Sequence, residues 1–132
     1  MRTLLTGLLI GLSTLHAAIS PDHTRRLQEE AAEALVIKAD QVDVKITQGK
    51  DGRQLDVQVT ASVQSVLRSK AGHKPGDVVK IAYTIIQTVI PMPGPSQPKV
   101  LEKGETVRAY LNPSADRQTL GLAAYGQSFQ QP

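Results

Sequence analysis

The chain has 132 residues, a formal net charge of +3 and no cysteine. This length suits one domain, and the lack of cysteine excludes disulfides, thiolate zinc sites, cysteine nucleophiles and a lipidated cysteine anchor. The small positive charge is spread along the chain, so it favours solubility and does not indicate a nucleic-acid partner. Aromatic residues are few, namely Tyr83, Tyr110, Tyr125 and Phe129. The core must therefore be built from aliphatic residues, which suits strands.

Residues 1–18 have the pattern of a secretory signal peptide. Arg2 provides a positive start, residues 4–15 form an apolar run, and Ala17 and Ala18 are small enough for cleavage. The apolar run is shorter than the ~20 residues that a membrane-spanning helix needs. We therefore predict export to the periplasm or the extracellular space, with cleavage near Ala17 or Ala18 and no membrane span afterwards. An uncleaved anchor and a buried first helix are the alternatives.

Residues 19–33 are predicted to form a short helix and linker, with the helix over residues 20–33. Ser20 can cap the amino end, Pro21 suits the first helical position, and Asp22 favours the positive end of the helix dipole. The segment has few large apolar residues. We therefore expect the helix to rest lightly on the rest of the domain, or to fray.

The first strand is predicted over residues 34–47, with a bend inside it. Its apolar residues alternate first in one phase and then in the opposite one: Leu35, Ile37 and Ala39, then Val42, Val44 and Ile46. Successive side chains of a strand point to opposite faces, so the change of phase predicts a β-bulge near Asp40 and Gln41. A bent first strand that serves both sides of the sheet is typical of small closed barrels.

Four further strands are predicted from alternating apolar and polar residues between turn residues. They cover residues 54–67, 77–89, 105–111 and 120–124. A hairpin turn is expected at residues 49–52, where Asp51 and Gly52 suit positive φ angles. Residues 126–132 are polar and expected to fray.

The proline-rich segment, residues 90–98, separates the third and fourth strands. Its prolines exclude a central strand and predict a stiff, extended excursion. Five strands, one terminal helix and no parallel crossover together predict an all-β, five-stranded antiparallel barrel of the OB type. We place this barrel at residues 34–129, with a tail at 130–132.

Two stretches resemble netrin-like domains, the OB-fold barrels of tissue inhibitors of metalloproteinases and of complement C-terminal modules. One is VQSVLRSKAGHKPGDVVKI, residues 63–81, where a strand ends at Arg68 and a loop ends in Pro75, Gly76 and Asp77. The other is LEKGETVRAYL, residues 101–111. The resemblance implies the same barrel here. The family's inhibitors bind the protease zinc through an amino-terminal cysteine, so that mechanism cannot apply to this cysteine-free chain.

Catalytic and metal-binding patterns do not occur at a convincing spacing. His23 and His73 each have too few neighbouring ligands for a metal site. Asp40 and Asp43 fall on opposite faces of a strand unless the bulge intervenes, so we expect solvated acids. The serines at 62, 65 and 69 lack the context of a nucleophile. We therefore predict no enzymatic activity and no cofactor or metal.

The densest cluster of charge lies in residues 68–76, RSKAGHKPG. We predict that Arg68, Lys70, His73 and Lys74 form a surface that binds a protein or an anionic glycan or other envelope component. The alternative is a solvated loop that keeps the strand edge soluble. Likewise the proline-rich segment is either a recognition element or a rigid connector. Nucleic acid is not expected, because few aromatic residues lie on the strands.

The sequence therefore predicts an exported, non-enzymatic β-barrel that acts as a binding or accessory module through its loops. Two other functions stay open. One is a structural envelope subunit that assembles through a sheet edge, and the other is a small hydrolase. No pattern in the sequence sets the oligomeric state.

Overall fold

The computed structural model describes residues 21–90 and 96–132. The predicted signal peptide, Ser20 and residues 91–95 of the proline-rich segment lie outside these residues. Helix α1 spans Pro21–Glu30, and six strands follow. They are β1 (Glu33–Gln48), β2 (Gly52–Ser69), β3 (Val78–Thr88), β4 (Thr106–Pro113), β5 (Leu120–Leu122) and β6 (Phe129–Gln130), with a 3-10 helix at Tyr125–Gln127.

The strands form a closed barrel. Their order is β1-β2-β3-β5-β4-β6, and β1 also pairs with β4, which closes a five-stranded barrel. The predicted all-β, OB-like barrel with one short helix is therefore confirmed. One pairing differs from the purely antiparallel expectation: β3 and β5 run parallel, through the single pair Ile81 and Leu120.

The first strand bends where the change of phase predicted. The register between β1 and β2 shifts between Ala39 and Gln41, which confirms the bulge, and two further shifts lie closer to the start of the strand. Residues 33–38 pair with β4 on one side, while the whole of β1 pairs with β2 on the other. The side chain of Ser62 donates a hydrogen bond to Asp40 at the bulge. The bend thus lets β1 close the barrel and then leave it.

The predicted hairpin turn joins β1 to β2. The Gly49 N–H donates to the Gly52 carbonyl at 2.7 Å. Gly52 has a φ of 151°, and a Cβ atom there would lie 2.0 Å from the Gln87 carbonyl oxygen. This position therefore requires glycine, both for its backbone angle and for the close approach of β3.

The core is aliphatic, as the composition predicted. Its largest fully buried apolar side chains come from four strands and one connection: Leu35, Ile37, Val57, Val59, Val63, Ile81, Leu101 and Leu111. Leu101 lies in the connection between β3 and β4, so the core extends beyond the strands. Among the described residues, no helix has the length and apolar character needed to cross a membrane.

The carboxyl-terminal segment is ordered through residue 130, so the expected fraying of residues 126–132 is wrong for most of that segment. Ser128 is fully buried, and its hydroxyl accepts a hydrogen bond from the Ala124 N–H at 2.8 Å. Phe129 pairs with Ala109, and its ring packs edge-on against Tyr83 with the centroids 5.5 Å apart. One aromatic ring and one buried hydroxyl outweigh the polar composition of the segment.

Candidate functional site

A cleft of about 770 Å³ lies over the outer face of β1, β2 and β3. The strand register places Thr60 between Gln41 and Lys80, and places Asp43 beside Gln58. These polar residues alternate with core residues such as Val59 and Ile81, which are 1% exposed. The polar half of the alternation therefore forms one wall of the cleft, opposite to the core.

The second wall is the connection between β4 and β5, residues 114–119. Its residues Arg117, Gln118 and Thr119 line the cleft. The Asp116 carboxylate accepts hydrogen bonds from the N–H groups of Gln118 at 2.9 Å and Thr119 at 3.3 Å. These bonds lower the pKa of Asp116 below its ordinary value. The Asp116 side chain thus holds the connection in its turn.

Arg117 has a left-handed backbone, with a φ of 59°. Its N–H donates to the Ser114 carbonyl at 2.9 Å, which closes the turn. A non-glycine residue in this conformation costs about 1–2 kcal/mol. Residues held in such conformations are concentrated at binding and catalytic sites. The strain makes Arg117 the most distinctive residue of the cleft.

The charge of the cleft is mixed, with two cations and one carboxylate besides His73. Lys80 and Arg117 supply cations, and Asp43 supplies the carboxylate. The side chains of Lys80 and Arg117 form no ion pair with any residue of 21–90 or 96–132. The Asp43 carboxylate accepts a hydrogen bond from the Gln41 amide at 3.0 Å. The two cations are therefore available to an anionic group.

The predicted partner-binding loop is built around a buried carboxylate, that of Glu33. Glu33 is fully buried at the start of β1. Its oxygens accept hydrogen bonds from the Ser69 hydroxyl and, at 3.0 Å, from the Ala71 N–H. His73 Nε2 lies 4.0 Å from Glu33 Oε1, and His73 Nδ1 lies 3.7 Å from Asp77 Oδ2. The loop is therefore held in place from inside.

The four predicted site residues do not line a single depression. Arg68 donates hydrogen bonds to the carbonyls of Gln28 and Ala31 at the end of α1. Lys70 lines a small depression beside α1 together with Arg68, whereas His73 lines the outer-face cleft. Lys74 is exposed, and its N–H donates to Asp77 Oδ2 at 3.0 Å. Of the four, His73 alone lines the cleft.

The cleft was not predicted from the sequence. The alternation shows which residues of each strand are polar. Which of them lie side by side depends on the register of three strands and on a connection far along the chain. Nothing in the sequence marks Arg117 or the buried Glu33. Within the described part of the chain, no group of three or more His, Asp or Glu residues is arranged to hold a metal ion.

Comparison of the chain with family models, with curated proteins and with solved structures gave no match. The resemblance to netrin-like domains therefore stays a prediction. The chemistry of the cleft must be argued from its own residues.

Proposed function

We propose that this protein is an exported, non-enzymatic binding module, and that its outer-face cleft binds an acidic polysaccharide of the cell envelope. The observation that carries the proposal is the polar cleft between β1–β3 and residues 114–119, with Lys80 and Arg117 in its walls. OB-type barrels bind oligosaccharides and oligonucleotides on this face, between the second and third strands and the loop before the fifth. That likeness is one of fold, and the residues below supply the chemistry.

The positive groups favour an anionic ligand. Lys80 and Arg117 lie in the cleft without an ion pair among residues 21–90 and 96–132. Exposed charges attract each other over about 10 Å at 0.1 M salt, so carboxylate groups of a polymer would be drawn to the cleft. His73 adds a third basic group to the lining.

The uncharged groups favour a sugar. Gln41, Gln58, Gln118 and two threonines line the cleft, and their amides and hydroxyls both donate and accept hydrogen bonds, as sugar hydroxyls do. Among the described residues, no Phe, Tyr or Trp lines the cleft, so bases would find none of these rings to stack on. An open cleft with few contacts gives weak binding per site, and a repeating polymer offers many equivalent sites along its length.

The proposal is tested by titrating the isotope-labelled protein with acidic oligosaccharides, such as oligogalacturonate, and with neutral oligosaccharides of equal length. We expect amide shifts near Asp43, Thr60, Lys80 and Arg117 with the acidic ligand alone, and weaker binding as salt is added. Lys80→Ala and Arg117→Gly should each weaken binding about 5-fold, equivalent to about 1 kcal/mol. Glycine accepts the left-handed backbone at 117, so the loop keeps its shape.

Lys103→Ala is the matched control, because Lys103 is exposed in the turn before β4 and outside the cleft. Equal binding of acidic and neutral ligands would contradict the proposal. Shifts confined to the neighbourhood of Arg68 and Lys70 would move the site to the end of α1. Tighter binding of an acidic peptide than of any oligosaccharide would make the partner a protein.

A further inference from the structure

The second half of β1 has one open edge. Beyond the bulge, residues 41–48 pair with β2 on one side, while the pairing with β4 ends at Lys38. Among residues 21–90 and 96–132, no strand pairs with the other side of this segment. Such an edge presents unpaired backbone N–H and C=O groups, which is a template for another strand.

The backbone groups at this edge belong to Val42, Val44 and Ile46. The turn bond from the Gly49 N–H to the Gly52 carbonyl fixes which residues bond to β2. In an antiparallel ladder every second residue bonds to a given neighbouring strand. The backbone groups of Thr47, Lys45 and Asp43 therefore bond to β2, and those of the residues between them face the open edge. Before the bulge the same edge is used within the chain, since the Ala39 N–H donates to Glu105 at 2.8 Å.

The side chains at this edge are apolar on one face and charged on the other. Val44 is 41% exposed and Ile46 is 53% exposed, although their neighbours on β2, Val57 and Leu55, are buried. Asp43 and Lys45 lie on the opposite face, and both are exposed. An exposed apolar row beside an unpaired strand edge is a surface that proteins usually cover.

We propose that a second copy of this chain covers it, with the two β1 strands antiparallel about a twofold axis at Val44. In this register Val44 faces Val44 of the second copy, Val42 faces Ile46, and Asp43 faces Lys45. Symmetry repeats the last two pairs, giving about six backbone hydrogen bonds between the copies. The charged pairs fall at the positions without backbone bonds, where side chains approach most closely.

The charges select this register. A shift of two residues in one direction places Asp43 opposite Asp43, and in the other direction it places Lys45 opposite Lys45. Like charges directly opposite each other destabilise a sheet. A shift of four residues in either direction leaves both charges without an opposite charge across the ladder. The register centred on Val44 is therefore the one in which the edge complements itself.

The contact is small and self-limiting. It involves roughly five residues on each copy, which places it below the ~1,200 Å² of a standard stable interface. We therefore expect a dimer that dissociates on dilution. Both copies use the same edge, so pairing leaves no open β1 edge for a third copy.

The test is sedimentation equilibrium of the purified protein from about 5 to 500 µM, the range expected for small interfaces. The wild type should pass from monomer to dimer in this range. Asp43→Lys and Lys45→Asp each place like charges opposite each other, and each should weaken the dimer at least 10-fold. The double variant Asp43→Lys/Lys45→Asp restores opposite charges and should dimerise again.

An equimolar mixture of the two single variants gives the sharpest result. One chain then carries two lysines and the other two aspartates at positions 43 and 45, so a heterodimer should form although neither variant dimerises alone. Position 45 also faces Asp56 within the same sheet, so Lys45→Asp places two carboxylates together inside the monomer. Thermal unfolding is therefore recorded for every variant. Lys80→Asp, on β3 and away from the edge, is the matched control and should dimerise like the wild type.

Val44→Pro tests the backbone contribution. The Val44 N–H faces the open edge, so proline removes no bond to β2 but removes the centre of the contact. We expect a monomer with a melting temperature close to that of the wild type. A wild-type protein that is monomeric at every concentration would overturn the proposal. So would a dimer that survives Val44→Pro or either charge variant, and so would a mixture that stays monomeric.

Discussion

The guanidinium of Arg68 donates two hydrogen bonds to the carbonyl oxygen of Ala31, from Nε at 3.0 Å and from the terminal Nη2 at 2.8 Å. The same Nη2 also donates to the Gln28 carbonyl at 2.8 Å. The last carbonyls of a helix have no partner within it, and a cation there suits the negative end of the dipole. Since α1 has no buried residue, this arginine is a principal attachment of the helix to the barrel.

Arg68→Ala should therefore loosen α1 while the barrel stays folded. We expect the free energy of unfolding to fall by about 1–2 kcal/mol, as for hydrogen bonds to a charged group that is partly exposed. Hydrogen exchange of residues 21–31 should rise, and exchange in β2 and β3 should not. Lys70→Ala, at an exposed neighbouring cation, is the control. Unchanged exchange in the helix would show that Arg68 does not hold it.

The buried carboxylate of Glu33 should be essential to the shape of the loop that contains His73. Glu33→Ala leaves the Ser69 hydroxyl and the Ala71 N–H without their acceptor, at a cost of about 2–4 kcal/mol. Glu33→Gln keeps an acceptor oxygen and should lose less. Urea unfolding measures the stability, and amide shifts of residues 70–76 report the loop. Glu30→Ala, on the exposed surface of α1, serves as the comparison; an equal effect of both alanines would argue against this role.

The hydroxyl of Tyr83 joins β3 to the connection before β4. It donates to the Lys99 carbonyl at 2.7 Å and accepts from the Leu101 N–H at 3.3 Å. Burial raises the pKa of Tyr83 to about 12, from an ordinary value of 10.0. The folded protein binds this proton more tightly than the unfolded chain does. The stability that Tyr83 contributes is therefore fully present below pH 10 and declines as the pH rises towards 12.

Tyr83→Phe should therefore remove part of the loss of stability at alkaline pH. It should also lower the stability at pH 7 by about 1–3 kcal/mol, because the buried Leu101 N–H loses its acceptor. Absorbance of tyrosinate near pH 12 should also decrease relative to the wild type. Thermal unfolding at pH 7, 10 and 11.5 gives the comparison. Identical pH profiles for the two proteins would refute the assignment.

Glu105 should make the turn before β4 sensitive to acid. Its carboxylate bonds to the Lys99 ammonium and accepts from the Glu102 N–H at 3.0 Å. These contacts, the lysine first, lower the pKa of Glu105 below its ordinary value of 4.5. A lowered pKa in the folded state gives stability that is present above pH 4.5 and is lost as the pH falls through the folded value.

Glu105→Gln should accordingly be less stable than the wild type at pH 7, by about 1 kcal/mol or less, because the pair is near the surface. The difference should shrink as the pH is lowered from 5 to 3, where the wild-type carboxylate takes up its proton. Urea unfolding across this range measures it. Glu102→Gln, at the exposed acid three residues earlier, controls for the change in net charge. A constant difference at all pH values would contradict the prediction.

Local sequence patterns predicted most of the fold. The alternation of apolar residues located the five barrel strands, and the change of phase between Ala39 and Val42 located the bulge, because both depend on the chain's own period of two. β6 has two residues, too few to show a period. Glu33 was predicted at the end of a helix, and its burial depends on a loop that lies far along the chain. Contacts of this kind are not written in any short stretch of sequence.

The two sets of pairs made by β1 lead us to expect an order in the assembly of the barrel. β1, β2 and β3 are neighbours in the sequence, and their pairs close short loops quickly. The pairs between β1 and β4, such as Glu33 with Leu111, must wait for a much longer loop to close. During that interval the whole edge of β1 is open to other chains. We expect the speed with which β4 docks, more than final stability, to set how much newly made protein escapes mispairing.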